Sequence, residues 1–211
     1  MKNKIYIYNT NNNSSPLVFD WCDKTLQEHI TRYRRQEDTL NSFCAWKLVA
    51  MKLQQYGMAL PLQVEFLPNG KPKVLGTNKV ISISHSAEII ALAISDEQIG
   101  IDIERIRDIN YSRLLERICN EIETENINAL PTEERIERFY EIWTAKEAYS
   151  KYTGNGLLKI KNITVLASTV GSDGLITQYH TTRHIINGSA YRLAIASQNA
   201  KYDIDFVDNL T

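Results

Sequence analysis

Three cysteines are all that the 211-residue chain contains. Cys22, Cys44 and Cys119 are far apart, odd in number and in no Cys-x-x-Cys spacing. That argues against a disulfide framework and against a cysteine-built structural zinc site, and it fits a reducing cytoplasm. A charge of one sign is also missing. The 24 lysines and arginines nearly balance the 25 aspartates and glutamates, so no global basic field is available to hold a long nucleic acid or a membrane surface. An anionic ligand must therefore be caught locally. No apolar run approaches the length of a membrane span, and residues 1–16 lack the apolar region of a signal peptide. The expectation is a soluble cytoplasmic protein with neither nucleic acid nor membrane as partner. At 43% hydrophobic residues the chain is long enough for one large domain or two small ones with their own cores.

Alternation in Ile5-Tyr6-Ile7-Tyr8 predicts an opening strand, followed by an Asn/Ser-rich loop to Pro16 and a helix from near Asp20. From Glu37 to Tyr56 the apolar residues recur at helical spacing, with Gly57 as the stop. Val64-Glu65-Phe66, Val80-Ile81-Ser82-Ile83 and Ile89 to Ile94 predict strands. The second half repeats this order. Trp46 precedes Gly57 by eleven residues, as Trp143 precedes Gly154, and Ala91-Leu92-Ala93-Ile94-Ser95 is similar to Leu193-Ala194-Ile195-Ala196-Ser197. The fold class expected is α+β, built from two similar halves, 1–104 and 105–211, that meet face to face.

What is present in unusual arrangement is acid. In Gly100-Ile101-Asp102-Ile103-Glu104 the apolar and polar residues alternate, a strand with Asp102 and Glu104 on one face. Like charges about 4 Å apart repel by about 4 kcal/mol at an effective dielectric near 20. Such a pair must take up a proton, splay into water as an ordinary solvated face, or bind a cation. Glu147, on a helix predicted from Phe139 to Lys151, supplies a third carboxylate from the opposite half if the halves pack as expected. Alternatively it forms only a surface ion pair with Lys151 one turn on. Three carboxylates without histidine or thiol make a hard oxygen site suited to Mg²⁺, with Mn²⁺ as a substitute. Lys146 and Lys151 would neutralise phosphate charge beside it, although Lys146 lies about 100° around the helix from Glu147. Lys71, in the turn Gly70-Lys71-Pro72, and Ser84-His85-Ser86 at a strand end are either phosphate contacts or ordinary solvated and structural residues. The residues alone point to a metal-dependent enzyme that handles phosphate.

Four segments carry a resemblance. Gly70-Lys71-Pro72, Ser82-Ile83-Ser84-His85-Ser86, Gly100-Ile101-Asp102-Ile103-Glu104 and Trp143-Thr144-Ala145-Lys146-Glu147-Ala148-Tyr149-Ser150-Lys151 resemble, in order, the motifs of 4′-phosphopantetheinyl transferases of the Sfp type. The resemblance implies an intramolecular pseudo-dimer, monomeric in solution. It implies transfer of the 4′-phosphopantetheine arm of coenzyme A to a serine of an apo acyl or peptidyl carrier protein, releasing adenosine 3′,5′-bisphosphate. By resemblance Asp102, Glu104 and Glu147 are metal ligands, and Glu147 and Lys151 carry catalysis. Arg32, Ser42, Lys71, Ser84, His85, Lys146 and Lys151 are implied contacts of coenzyme A.

The chain departs from the pattern in places. Asn41 stands where a basic residue is expected, and of Leu26 and His29, at further basic positions, only His29 suits a phosphate. The segment Ile118-Cys119-Asn120 with Glu121 or Glu123 replaces a phenylalanine-rich motif associated with carrier docking. Two other readings use the same residues: a magnesium-dependent phosphohydrolase of a nucleotide-like substrate, and a non-catalytic module that binds carrier proteins.

Overall fold

The alternating segments become strands, and the expected helices Glu37 to Tyr56 and Phe139 to Lys151 become parts of the longest helices, α2 (Gln36–Gln54) and α5 (Thr132–Thr153). A computed structural model describes residues 3–156, 160–199 and 201–210. The first part of the chain forms β1 (Asn3–Asn9), α1 (Lys24–Thr31), α2 (Gln36–Gln54), β2 (Val64–Phe66), β3 (Pro72–Val74), β4 (Val80–Ser86) and β5 (Ile89–Ser95). Next come β6 (Ile99–Arg105), α3 (Ser112–Ile118), α4 (Glu121–Asn128) and α5 (Thr132–Thr153). The chain closes with β7 (Thr164–Val165), β8 (Thr169–Ser172), β9 (Leu175–Ile186), β10 (Ser189–Ser197) and β11 (Tyr202–Val207). The mixed α+β class expected from the sequence is the one observed.

The chain divides into two units, Met1–Glu97 with Lys201–Thr211, and Gln98–Ala200. This corrects the expected boundary after residue 104. All of β6 pairs antiparallel with β10, from Ile99 opposite Ser197 to Arg105 opposite Tyr191, so it belongs to the second unit. β11 returns to the first unit, where it pairs in parallel with β1. Consequently the Asp102–Glu104 strand and Glu147 lie in the same unit, not in opposite halves.

In the first unit a four-stranded sheet runs in the order β11-β1-β5-β4, with α2 packed on β5. The helix carries acid in its first turn, Glu37 and Asp38, and Lys52 in its last, the charge order that suits the helix dipole. Phe43, Trp46, Leu48, Val49 and Leu53 of α2 enter one core with Tyr6, Tyr8, Ile90, Leu92 and Ile94 of the sheet. Asp23 caps α1, accepting from the Leu26 backbone N–H at 2.8 Å. Leu26 itself is fully buried.

In the second unit an antiparallel sheet runs β6-β10-β9-β8-β7. α5 lies across it, and Phe139, Tyr140, Ile142, Ala145, Ala148 and Tyr149 fill a core with Ala194, Ala196, Val170 and Tyr179 of the strands. Gly154 ends the helix in the left-handed conformation at φ 75°. The repeated order holds in outline, with three α-helices in the second unit where the first has two, among the described residues. Trp46 and Trp143 lie in the long helices α2 and α5, and each helix precedes an antiparallel pair, β4–β5 or β9–β10.

One contact fixes the distance between β6 and α5. A Cβ placed on Gly100 would overlap the carbonyl oxygen of Ala148, so the strand backbone rests directly on the helix backbone. Here glycine is needed for close approach, not for an unusual φ. Gly100→Ala forces strand and helix apart, and the expected cost is about 1–3 kcal/mol, typical of overpacking a tight core. Urea unfolding measures it, and an unchanged midpoint would show that the contact yields freely.

Candidate active site

Helical spacing places Trp143, Glu147 and Lys151 on one face of α5, each one turn beyond the last. The face meets Asp102 of β6. The Lys151 Nζ donates to Asp102 Oδ1 at 2.8 Å, and the Trp143 Nε1–H donates to Glu147 Oε1 at 3.2 Å. Asp102 is only 3% exposed, which excludes the solvated strand face that its alternation allowed. The expected Glu147–Lys151 surface pair gives way to this longer-range one, because the lysine reaches across to the buried aspartate two residues beyond the Gly100 contact.

Burial is the main influence raising the Glu147 pKa, and the negative charge of Asp102 adds to it. Lys151 and the Trp143 hydrogen bond pull the other way without cancelling the rise. Two carboxylates and one lysine thus share a partly dry site with a surplus of negative charge. That charge pattern can hold a proton or attract a cation.

Glu104 follows Asp102 on the same face of β6, opposite Arg192 of β10. Its charge helps to raise the pKa of Tyr140, after burial as the larger cause. The structure does not gather all three acids. Among the described residues no group of three or more His, Cys, Asp or Glu side chains is close enough to hold a metal ion. Asp102 and Glu147 are near enough for the charge of the aspartate to raise the pKa of the glutamate, after burial as the larger cause.

Lys146 requires a correction. Its side chain is fully buried, 2.6 Å from Glu123 Oε2, and donates to the Ile118 carbonyl at 2.7 Å. It points into the core and is not placed to meet phosphate. Glu123 in turn accepts from the backbone N–H groups of Asn120 and Val165, both at 2.9 Å, so the pair ties α5 to α4 and β7. The segment Ile118-Cys119-Asn120 therefore has an internal role, with Asn120 closing a capping box on α4 and Cys119 buried as a free thiol. Cys22 and Cys44 are also buried and free, as the lack of Cys-x-x-Cys spacing implied.

The remaining expected contacts of coenzyme A belong to the first unit. Arg32 is exposed, its guanidinium 5.1 Å from the centre of the Tyr33 ring. Ser42 is half-buried on α2. Lys71 is half-buried in its turn, with its pKa lowered by burial. Ser84 and His85, neighbours on β4, project to opposite faces of the sheet, and Ser84 is buried while His85 is exposed. The two side chains are thus not presented to one surface. Asn41 is buried, its amide donating to the Ala87 carbonyl at 3.2 Å, so it braces the turn between β4 and β5. His29 stacks on Phe66 with ring centres 3.9 Å apart, and burial, helped by Arg32, lowers its pKa to about 4. It is neutral at physiological pH.

The second unit coincides with a known family. Residues 98–203, half of the chain, match the model of the 4′-phosphopantetheinyl transferase superfamily. The chain belongs to that superfamily. Among curated relatives, the 4′-phosphopantetheinyl transferase gsp of Aneurinibacillus migulanus is 32% identical over 64% of this chain and 56% of its own. The 4′-phosphopantetheinyl transferase HetI of Nostoc sp. is 35% identical over 50% of this chain and 48% of its own. The chain spans about half to two thirds of the length of the curated relatives it matches. A solved holo-(acyl-carrier-protein) synthase from Bacillus anthracis str. Ames, in complex with CoA, aligns with 47% of this chain and 94% of its own at 24% identity and a TM-score of 0.38, too weak an overlap to bear on the fold. Asp102, Glu104, Glu147 and Lys151 all lie within the matched region.

Charge at Glu147 generates a pH test. Because its folded pKa is raised, losing its proton costs the folded state stability relative to the unfolded chain. The cost is absent below the ordinary carboxylate range and complete once pH exceeds the raised value. With chelator present, Glu147→Gln should therefore gain thermal stability over wild type as pH increases from 4 to 8. Thermal melts read this, and a gain confined to acid pH would reverse the assignment.

Proposed function

We propose that the protein is a 4′-phosphopantetheinyl transferase that uses coenzyme A to modify a serine of an apo acyl or peptidyl carrier protein. The observation that carries this reading is the convergence of Asp102, Glu147 and Lys151 between β6 and α5, inside the segment that matches the superfamily. In the reaction the carrier serine oxygen attacks the phosphorus bearing the pantetheine arm. The P–O bond to the nucleotide breaks, and its electron pair leaves with adenosine 3′,5′-bisphosphate.

Three roles follow from the chemistry of the side chains. The Glu147 carboxylate, with its proton affinity raised by burial and by Asp102, accepts the serine proton. The Trp143 indole fixes one of its oxygens and leaves the other for that task. Lys151, about a third exposed on its side chain, turns from Asp102 to the pyrophosphate and offsets charge on the leaving group.

The donor set suits a hard divalent cation. Asp102 and Glu147 offer carboxylate oxygens, with surplus negative charge that a cation would relieve. Asp102 and Glu147 would hold Mg²⁺, with Mn²⁺ able to replace it, and Glu104, which the structure does not gather with them, is proposed as a third ligand that joins once the ion offsets the charge of the other two. When bound, the ion supplies charge neutralisation on the pyrophosphate. Arg32, Ser42, Lys71, Ser84 and His85 are proposed as further contacts of coenzyme A. No helix among the described residues is long and apolar enough to cross a membrane, and the proposed site of action is the cytoplasm.

The test is incubation with coenzyme A, Mg²⁺ and several apo carrier proteins, read by intact-carrier mass. A phosphopantetheine adduct is expected with wild type and should fall by at least about 100-fold with Glu147→Gln, the scale of a lost general base. Phosphate release without a carrier would favour a phosphohydrolase. Carrier capture without any adduct would favour a binding module. Either result alone overturns the transferase.

A further inference from the structure

Tyr140 is used by none of the steps above, yet it touches both sides of the acidic site. It lies on α5 with 2% of its surface exposed, one helical turn before Trp143 and two before Glu147. Its Oη accepts the backbone N–H of Arg107 at 3.3 Å. Arg107 is the second residue beyond β6, three beyond Glu104, so this bond fastens the exit of the acidic strand to the helix. The ring of Tyr140 stacks on that of Trp143, with centres 5.7 Å apart and planes 16° from parallel. Trp143 is in turn the donor to Glu147.

We propose that Tyr140 is a positioning residue: its hydroxyl sets the end of β6 that carries Glu104, and its ring holds the indole that orients Glu147. Glu104 and Glu147 are thus linked through one side chain. Gly100 fixes the near end of β6 against α5, and Tyr140 fixes the far end. Without the second attachment the strand pivots about the first, and Glu104 loses its register with Asp102 and Glu147. The Glu104 charge also reaches Tyr140, raising its pKa after the larger effect of burial, in keeping with their closeness.

This inference rests on the transferase reading, and two variants separate it from that reading. Tyr140→Phe keeps the ring on Trp143 and removes only the oxygen that accepts from Arg107. Tyr140→Leu removes both. With wild type active, Tyr140→Phe should lower kcat about fivefold, the scale of one lost hydrogen bond, with KM for the carrier unchanged. Calorimetric titration of Mg²⁺ into the protein with coenzyme A, without carrier, should show binding weakened by a similar factor. Tyr140→Leu should lose more than about tenfold in both. Ile127→Val, in the same core but remote from these residues in role, should lower thermal stability and leave both readouts unchanged.

Tyr140→Phe with wild-type kcat and magnesium affinity would overturn the proposal, as would equal losses in Ile127→Val. A wild type that transfers nothing would sink the transferase reading instead, and the magnesium titration would still decide the positioning role. Wild type that binds no magnesium under these conditions would overturn it.

Discussion

The site depends on how closely β6 can approach α5, and that distance is set where Gly100 meets the carbonyl of Ala148. A strand held off by even one methyl group would carry Asp102 away from Lys151 and Glu147. The small residues Ala145 and Ala148, both fully buried, keep the helix side of the contact thin. Two residues beyond the glycine the strand delivers Asp102, and the helix delivers Glu147 directly before Ala148 and Lys151 about one turn after it. The acidic motif and the helical motif, far apart in sequence, are therefore halves of one packing arrangement.

Charge then distinguishes two lysines on the same helix. Lys146 and Lys151 are five residues apart and so point about 140° from each other around the axis. The first turns inward to Glu123, in a pair whose acid is further satisfied by two backbone N–H groups. Removing one member of so buried a pair would strand a charge, which is why it serves structure. Lys151 remains partly exposed and meets an aspartate beside a second carboxylate. A ligand rich in phosphate can compete for that lysine, and a cation can replace it on Asp102.

Much of this was legible in the sequence. Alternation from Ile99 to Ile106 fixed both the strand and the shared face of Asp102 and Glu104, and the apolar spacing of α2 and the motif around Trp143 marked the long helices. Period two also implied that Ser84 and His85 face apart, although their adjacency suggested a common role. Other features needed the three-dimensional pairing. Nothing local shows that β6 pairs with β10, so the boundary after residue 104 was drawn too late. The partner of Lys146 is an acid on a short helix twenty-three residues earlier, in a segment whose departure from the family pattern concealed its structural use. Tyr140 was hidden for the same reason, since an aromatic in an apolar helix looks like core.

The central proposal is that Asp102, Glu147 and Lys151 form a site where coenzyme A and a divalent cation bind together. Calorimetric titration of coenzyme A into wild type and Asp102→Asn, each with and without Mg²⁺, tests it most directly. The account predicts that Mg²⁺ strengthens coenzyme A binding by wild type and has little effect on the variant. Equal strengthening in both proteins would contradict it.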